Sequence, residues 1–300
     1  MSGVDDFRYV SFNGVATHDR LASSRRVKAS AAPGSPRPLA PAGLFAGWVL
    51  RQANLDPGAY RDRVFARRIP SCLRILKVSS LEAARARIEE RRELLPAVLG
   101  ALLIGVTGFF RDAAAFEDFR AVVLPWLAAR RPRKPRVWSA ACSTGAELYS
   151  VAILLEEAGL LDGSTLLGTD CRDDAISEAR EATYGPPVTD TLPASCQARY
   201  FTPVEGQRVR PVARLRSALM WKAADLHVKA EPGPWDVVLW RNAAIYIETA
   251  AAARVYRRLA GTLVPGGFLV VGKAERPPFD AGFVQAGHCL YRKHGGPDVS

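Results

Sequence analysis

No stretch of the chain approaches the roughly 18 uninterrupted apolar residues that a membrane-spanning helix requires. The start, MSGVDDFRYV, has no basic segment leading into an apolar core. Both absences argue against membrane insertion and export, and the expectation is a soluble, cytoplasmic chain. Cysteine and histidine are scarce: Cys72, Cys142, Cys171, Cys196 and Cys289 include no CxxC pair, and the 4 histidines are dispersed. That leaves neither a zinc-ligand set nor a disulfide framework, so no metal and only reduced thiols are expected. Acid is short relative to base, 30 residues against 41, for a formal net charge of +11. Such a balance favours an acidic partner, whether nucleic acid, an anionic membrane or a protein surface, and does not choose among them. An RNA-reading module and a surface of interleaved aromatics are both missing, so nucleic acid is not the expected partner.

What is present divides the chain. Residues 1–41 (…ASSRRVKASAAPGSPRPLAP) hold few clustered apolar residues, too few to offset chain entropy, and predict a disordered tail. In it Arg25, Arg26 and Lys28 form either a solvated tail or a contact to nucleic acid or lipid. Across residues 42–103 apolar residues recur at helical spacing in LFAGWVLRQA, YRDRVFARRIPSCLRILK and LEAARARIEERRELLPAVLGALL, with Ser79 and Ser80 as candidate caps before the last. These predict a small helical domain. Its middle segment carries Arg61, Arg63, Arg67, Arg68, Arg74 and Lys77 with only Asp62 opposing them. Two readings stand: a solvated helix face, or a docking surface for an acidic partner.

Residues 104–131 read as a linker and residues 132–300 as the main domain. There short β-branched runs, Arg136–Ala140, Thr165–Thr169, Asp236–Trp240 and Gly267–Gly272, alternate with helical segments Ala146–Ala158, Asp174–Ala182 and Thr249–Leu263. The last helix is opened by a threonine cap and ended by the breaker cluster Val264-Pro265-Gly266-Gly267. The alternation predicts an α/β fold, a doubly wound, mostly parallel sheet. Residues 186–223 interrupt it and read as a small antiparallel β insertion around a Glu205-Gly206 turn.

In an open parallel sheet, ligands bind beyond the carboxyl ends of the strands. The first strand runs into Ala141-Cys142-Ser143-Thr144-Gly145 and then directly into a helix. Small side chains let a ligand approach the backbone, and a helix N-terminus offers unpaired N–H groups. Asp170 follows Gly145 by 25 positions, at the end of the second strand, where a carboxylate can accept hydrogen bonds from both ribose hydroxyls of an adenosine. The alternative for Asp170 is a cap for the helix at Asp174. The turn lacks the full GxGxxG spacing, which disfavours a pyrophosphate ligand; a nucleoside cofactor is the expectation.

Four segments then carry a resemblance: IGVTGFFRD (Ile104–Asp112), RVWSAACSTGAELYSVAILL (Arg136–Leu155), GTDCRDDAISEAREATYG (Gly168–Gly185) and WRNAAIYI (Trp240–Ile247). In order and spacing they resemble the signature blocks of the chemotaxis receptor methyltransferases, the CheR type. The likeness spans about residues 42–294. It implies the class I S-adenosylmethionine-dependent methyltransferase fold, with S-adenosyl-L-methionine as cofactor and S-adenosyl-L-homocysteine as product. The implied activity is methyl esterification of glutamate side chains on the cytoplasmic helix bundle of a methyl-accepting chemoreceptor. It also implies roles residue by residue. Thr107 and Arg111 line the cofactor pocket, and Arg111 reaches the reacting carboxylate. Ala141 and Gly145 belong to the cofactor turn, Glu147 lies near the methionyl part, Asp170 takes the ribose, and Asp225 and Leu226 lie beside the adenine. Arg241 and Asn242 end the fourth strand of the blocks, and Tyr246 lies close to the transferring methyl group. From residue type alone, Arg111 could instead form an interdomain salt bridge, Asn242 a turn, and Tyr246 a core aromatic. Phe109 and Phe110 read as packing residues that orient Arg111.

Departures from the family pattern are Ala146 and Leu148, where GAELYS stands for the usual GEEPYS, and Gly105, where many members carry Asn. The PVEGQRV turn is shorter than in members that hold a receptor's C-terminal tether with it. The expectation is therefore a tether-independent, monomeric enzyme docked by the basic helix around Arg63, Arg67, Arg68 and Arg74. Two rivals remain open: a same-fold methyltransferase of RNA or a small molecule, and a non-catalytic cofactor-binding signalling protein.

Overall fold

The structure is a computed structural model and describes residues 41–103 and 107–295. The N-terminal tail, with Arg25, Arg26 and Lys28, and the departure at Gly105 lie outside the described residues. Helix α1 (Pro41–Gln52) buries Phe45, Ala46, Val49 and Leu50 on one face. The basic segment that periodicity predicted as one helix is two, α2 (Asp62–Ala66) and α3 (Ile69–Leu76). Pro70 is the cause: a proline lacks the N–H and clashes with the carbonyl four residues back, here Ala66, so α2 stops there and α3 restarts with proline in its first turn. Ser80 caps α4 (Leu81–Glu90), its Oγ accepting from Ala83 N at 3.1 Å. The long apolar run after it also breaks, at Arg91, before α5 (Leu95–Leu103). Val49, Leu50, Cys72, Leu76, Ile88, Val98 and Leu102 from these helices join one continuous core with Trp138, Val238 and Trp240 of the sheet. The helical region is thus built onto a sheet face, within one compact unit.

Helices α6 (Ala113–Asp118) and α7 (Leu124–Ala129) lead to β1 (Arg136–Ala140), α8 (Ala146–Glu157), β2 (Thr165–Asp170) and α9 (Asp173–Glu181). After α10 (Ala194–Tyr200), β3 (Phe201–Pro203) pairs antiparallel with β4 (Val209–Pro211) in a sheet of their own, Phe201 opposite Pro211. Then follow α11 (Ala213–Ser217), β5 (Leu219–Ala223), β6 (Trp235–Trp240), α12 (Thr249–Thr262), β7 (Leu263–Val271), β8 (Phe283–Gln285) and β9 (Leu290–Lys293). The large sheet has the order β5-β2-β1-β6-β7-β9-β8, parallel from β5 to β7 and antiparallel beyond. Covered on both faces, its strands are near-continuous apolar runs; all six residues of β6 are buried. Its other face packs on α6 to α8 through Phe119, Leu148, Tyr149 and Ile153.

Three features differ from the sequence reading. Leu219–Ala223, grouped there with the insertion, is the edge strand of the large sheet, paired parallel with Leu166–Asp170, so antiparallel pairing in the insertion is confined to β3 and β4. The Val264–Gly267 cluster does not delay the next strand: β7 starts at Leu263 and absorbs proline and glycine through a register shift against β6. The antiparallel strands β8 and β9 had not been predicted. The order that places the site is the reversal at β1. The chain winds outward through β2 and β5, then returns to β6 on β1's other side, leaving a crevice beyond the carboxyl ends of β1 and β6.

Candidate active site

At that crevice lies a solvent-open cleft of about 1010 Å³. Thr107, Arg111, Ala141, Glu147, Asp170, Asp225, Leu226, Arg241, Asn242 and Tyr246 all line it. Gly145 does not. Gly145 is the residue before α8, with φ +87°, and a Cβ there would lie 2.5 Å from Cη2 of Trp221. Its place is behind the turn, where left-handed backbone and close packing both demand glycine. Ala141 and Ser143 also adopt positive φ, at 58° and 51°. Cys142 N donates to Thr169 O at 2.9 Å, which ties this strained turn to the end of β2.

Asp170 is buried, and its carboxylate organises the turn. Oδ2 accepts from Ser143 N at 2.8 Å, and Oδ1 accepts from Arg172 N at 3.1 Å. It does not cap α9, whose N-cap position is Arg172. The Arg172 guanidinium, itself buried, lies 3.5 Å from Asp170 Oδ1 and donates to Ser143 Oγ at 3.3 Å. Each carboxylate oxygen has a second lone pair, so Asp170 can still accept from a diol. Beside it Asp225 Oδ1 accepts from His227 N at 2.8 Å, and Arg258 on α12 donates to the carbonyls of Leu226 and His227 at 2.6 and 2.8 Å. The His227 ring packs 5.6 Å from that of Tyr60, from the helical region. Burial lowers the His227 pKa. Burial raises that of Tyr60, with Cys171, Asp225 and Asp170 adding to the rise.

The middle of the cleft holds an ionic cluster. The side chain of Arg241 is 2% exposed and donates to Glu147 Oε2 at 2.8 Å, to Asp112 Oδ2 at 3.0 Å and to the Arg111 carbonyl at 2.7 Å. Ser139 Oγ donates to the other Glu147 oxygen at 2.9 Å. One guanidinium thus bridges two carboxylates at the centre of the cleft. The sequence reading placed Arg241 on the cofactor; its hydrogen bonds in the structure hold Glu147 and the Arg111 backbone. The residues on either side of Arg111 are held in place. Phe109 is fully buried, edge-on to Tyr184 and Phe201 at 5.0 Å each. Phe110 N donates to Ser150 Oγ at 3.0 Å, and Phe110 and Asp112 both take positive φ.

Tyr246 reaches the cleft on the short helical turn Ala244–Tyr246 and is half-buried, not a core aromatic. Its carbonyl accepts from Arg61 N at 2.9 Å. On the other side the buried carboxylate of Glu275 accepts from Gly272 N at 2.7 Å, Asn242 N at 2.8 Å and Ile245 N at 3.3 Å. Burial pushes the Glu275 pKa up against those bonds. Asn242 itself stands at φ +57°. Sequence reasoning missed Tyr60, Arg172, His227, Arg258 and Glu275. Only Arg172, a charge directly after the second strand and two residues from Asp170, carried a local signal. Among the described residues no cluster of His, Cys, Asp or Glu could hold a metal ion, and no helix is long and apolar enough to cross a membrane.

A cleft at the switch point, a small-residue turn and a carboxylate at the end of β2 fit a nucleoside cofactor, and with the mostly parallel seven-stranded sheet they are the setting of an S-adenosylmethionine-dependent methyltransferase domain of the class I fold. Residues 105–285 match the family model of the CheR methyltransferase, SAM binding domain, and the chain belongs to that family. It is 28% identical to a chemotaxis protein methyltransferase of Listeria monocytogenes over 83% of this chain and 95% of that one. It is 32% identical to a probable chemotaxis protein methyltransferase of Rhizobium etli, over 65% and 75% of the two chains. With the chemotaxis protein methyltransferase of Salmonella typhimurium it shares 34% identity over 60% and 63%.

Proposed function

We propose that the chain transfers the methyl group of S-adenosylmethionine to glutamate side-chain carboxylates on the cytoplasmic helix bundle of a chemoreceptor, forming glutamyl methyl esters. The observation that carries this is the presence of Arg111 and Tyr246 in one cleft with Asp170 and the Arg241–Glu147 cluster. When bound, the cofactor supplies an electrophilic methyl on a sulfonium. Asp170 takes the ribose hydroxyls, Asp225 and Leu226 flank the adenine, and Glu147 holds the ammonium. Arg111 grips the substrate carboxylate, which is already ionised near neutral pH and needs no general base. Tyr246 packs beside the reacting atoms, so catalysis rests on holding oxygen, methyl and sulfur in line.

The receptor docks on the basic face of α2 and α3. Arg63, Arg67 and Arg74 are exposed and Arg68 half-exposed, and among the described residues none of the four forms an ion pair. With only three residues in each strand, the β3–β4 hairpin offers a short edge for peptide pairing, which favours docking without a C-terminal tether. On this reading the enzyme acts as a monomer in the cytoplasm. Incubation with labelled cofactor and receptor-containing membranes should place label on the receptor that mild alkali releases as methanol. Alkali-stable label, or label on RNA, would overturn the glutamate assignment. Tight binding of an isolated receptor C-terminal pentapeptide would overturn tether independence.

A further inference from the structure

The segment after β7 carries a feature that methyl transfer does not use. Phe279 is fully exposed, 102% of its reference area, although a phenyl ring offers roughly 150–250 Å² for burial. The tip is held in place. Pro277 and Pro278 lead into the turn Phe279–Ala281, Ala281 N donates to Pro278 O at 3.0 Å, and Asp280 pairs with Arg257 of α12 at 2.6 Å. The held turn presents an apolar ring to solvent where a partner can cover it.

Pro278 also lines a second, solvent-open cavity, on the far side of the Asn242–Tyr246 segment from the cofactor cleft. Its polar lining includes Arg61, Thr249, Tyr256 and Arg276, and Ala244 and Ile245 form its wall toward Tyr246. The Tyr256 hydroxyl is buried and has no hydrogen-bond partner. Among the described residues, the Arg61 guanidinium donates only to the Thr249 hydroxyl, at 3.4 Å, and that of Arg276 only to the carbonyls of Lys273 and Glu275, so neither is paired with a carboxylate. Glu275 also lines the cavity, but both its carboxylate oxygens are turned onto backbone amides.

We propose that Phe279 and this basic cavity form a further part of the docking surface for the substrate protein, accepting an acidic amphipathic helix. An apolar residue of the helix covers the ring, and a carboxylate enters the cavity between the exposed Arg276 and the half-buried Arg61. Charge complementarity selects this occupant, and the shared wall at Ala244–Ile245 sets it beside the transfer point. The proposal rests on the glutamate-methylating reading and extends the docking surface from the α2–α3 face, through Arg61 at the start of α2, to Phe279.

The test uses the full chain, labelled cofactor and the cytoplasmic fragment of a chemoreceptor from the same genome, with Phe279→Ser, Phe279→Leu and Arg276→Ala. KM for the fragment should rise about fivefold or more in Phe279→Ser and Arg276→Ala, as at interface anchors, and recover in large part in Phe279→Leu. Cofactor Kd should stay within about twofold in all three, because the ring lies outside the cofactor cleft. If the wild type esterifies the fragment and the variants' KM values do not move, this surface is refuted while the glutamate reading survives. If the wild type forms no alkali-labile ester, both fall. If Phe279→Ser instead converts a dimer of the chain to monomer, the surface is an interface between copies and the proposal is overturned.

Discussion

Replacing Arg241 by alanine tests the ionic cluster at the centre of the cleft. The side chain supplies two charge-assisted bonds to carboxylates and one bond to the Arg111 carbonyl, at 2.7–3.0 Å. Its loss leaves Glu147 and Asp112 without their cation in a largely buried setting. Removing one partner of a buried pair costs about 3–5 kcal/mol. Glu147 and Asp112 keep 13% and 29% side-chain exposure, so water can reach them, and we lower the expectation to roughly 2–4 kcal/mol. In a domain of this size that is a fall in Tm of about 5–15 °C. Urea and thermal denaturation followed by circular dichroism would measure it. Because the penalty comes mainly from the stranded carboxylates, adding Glu147→Gln to Arg241→Ala should cost less than the sum of the single changes. A loss below about 1 kcal/mol that is also additive with Glu147→Gln would refute the assignment of Arg241 as the clamp.

Asp170→Asn keeps the shape of the side chain but removes its charge. Cofactor affinity by titration calorimetry should fall about 10–100-fold, the worth of hydrogen bonds to a charged group; an unchanged Kd would remove the ribose role. Gly145→Ala should destabilise by roughly 2–4 kcal/mol, since a Cβ there both meets Trp221 and disfavours the positive φ; Gly145→Ala with Trp221→Leu should recover part of that loss. Glu275 has a raised pKa in the folded state. The folded protein therefore binds this proton more readily than the unfolded chain, and its stability falls as pH rises from the ordinary carboxylate value through the raised one. Glu275→Gln lacks that proton linkage. The stability difference between variant and wild type should shift in the variant's favour across that window, and a pH-independent difference would contradict the burial argument.

Strands β1, β2 and β6, the later part of β7 and most of the residues that line the candidate cleft were legible in the sequence because they rest on local rules. A strand buried on both faces must be apolar, a turn that approaches a ligand must be small, and a ribose ligand must sit at a strand end; β1 was expected at Arg136–Ala140 and is found there. Pro70 likewise held the break between α2 and α3, though the regular spacing of apolar residues on either side concealed it. Other features depend on partners far away in the chain. Leu219–Ala223 belongs to the large sheet only because β2 is there to pair with it. Glu275 in GKAERPP looks like a surface acid until folding brings the amides of Asn242 and Ile245 to it from 30 residues and more away. Gly145, counted in sequence among cofactor residues, answers to Trp221, and Arg241 answers to Asp112 and Glu147. Sequence alone determined which residue types stand where backbone conformation and ligand chemistry constrain them one position at a time. The tertiary structure decided which of them line the cleft and which hold those that do, because hydrogen bonds and ion pairs between distant segments exist only once the sheet has closed the distance.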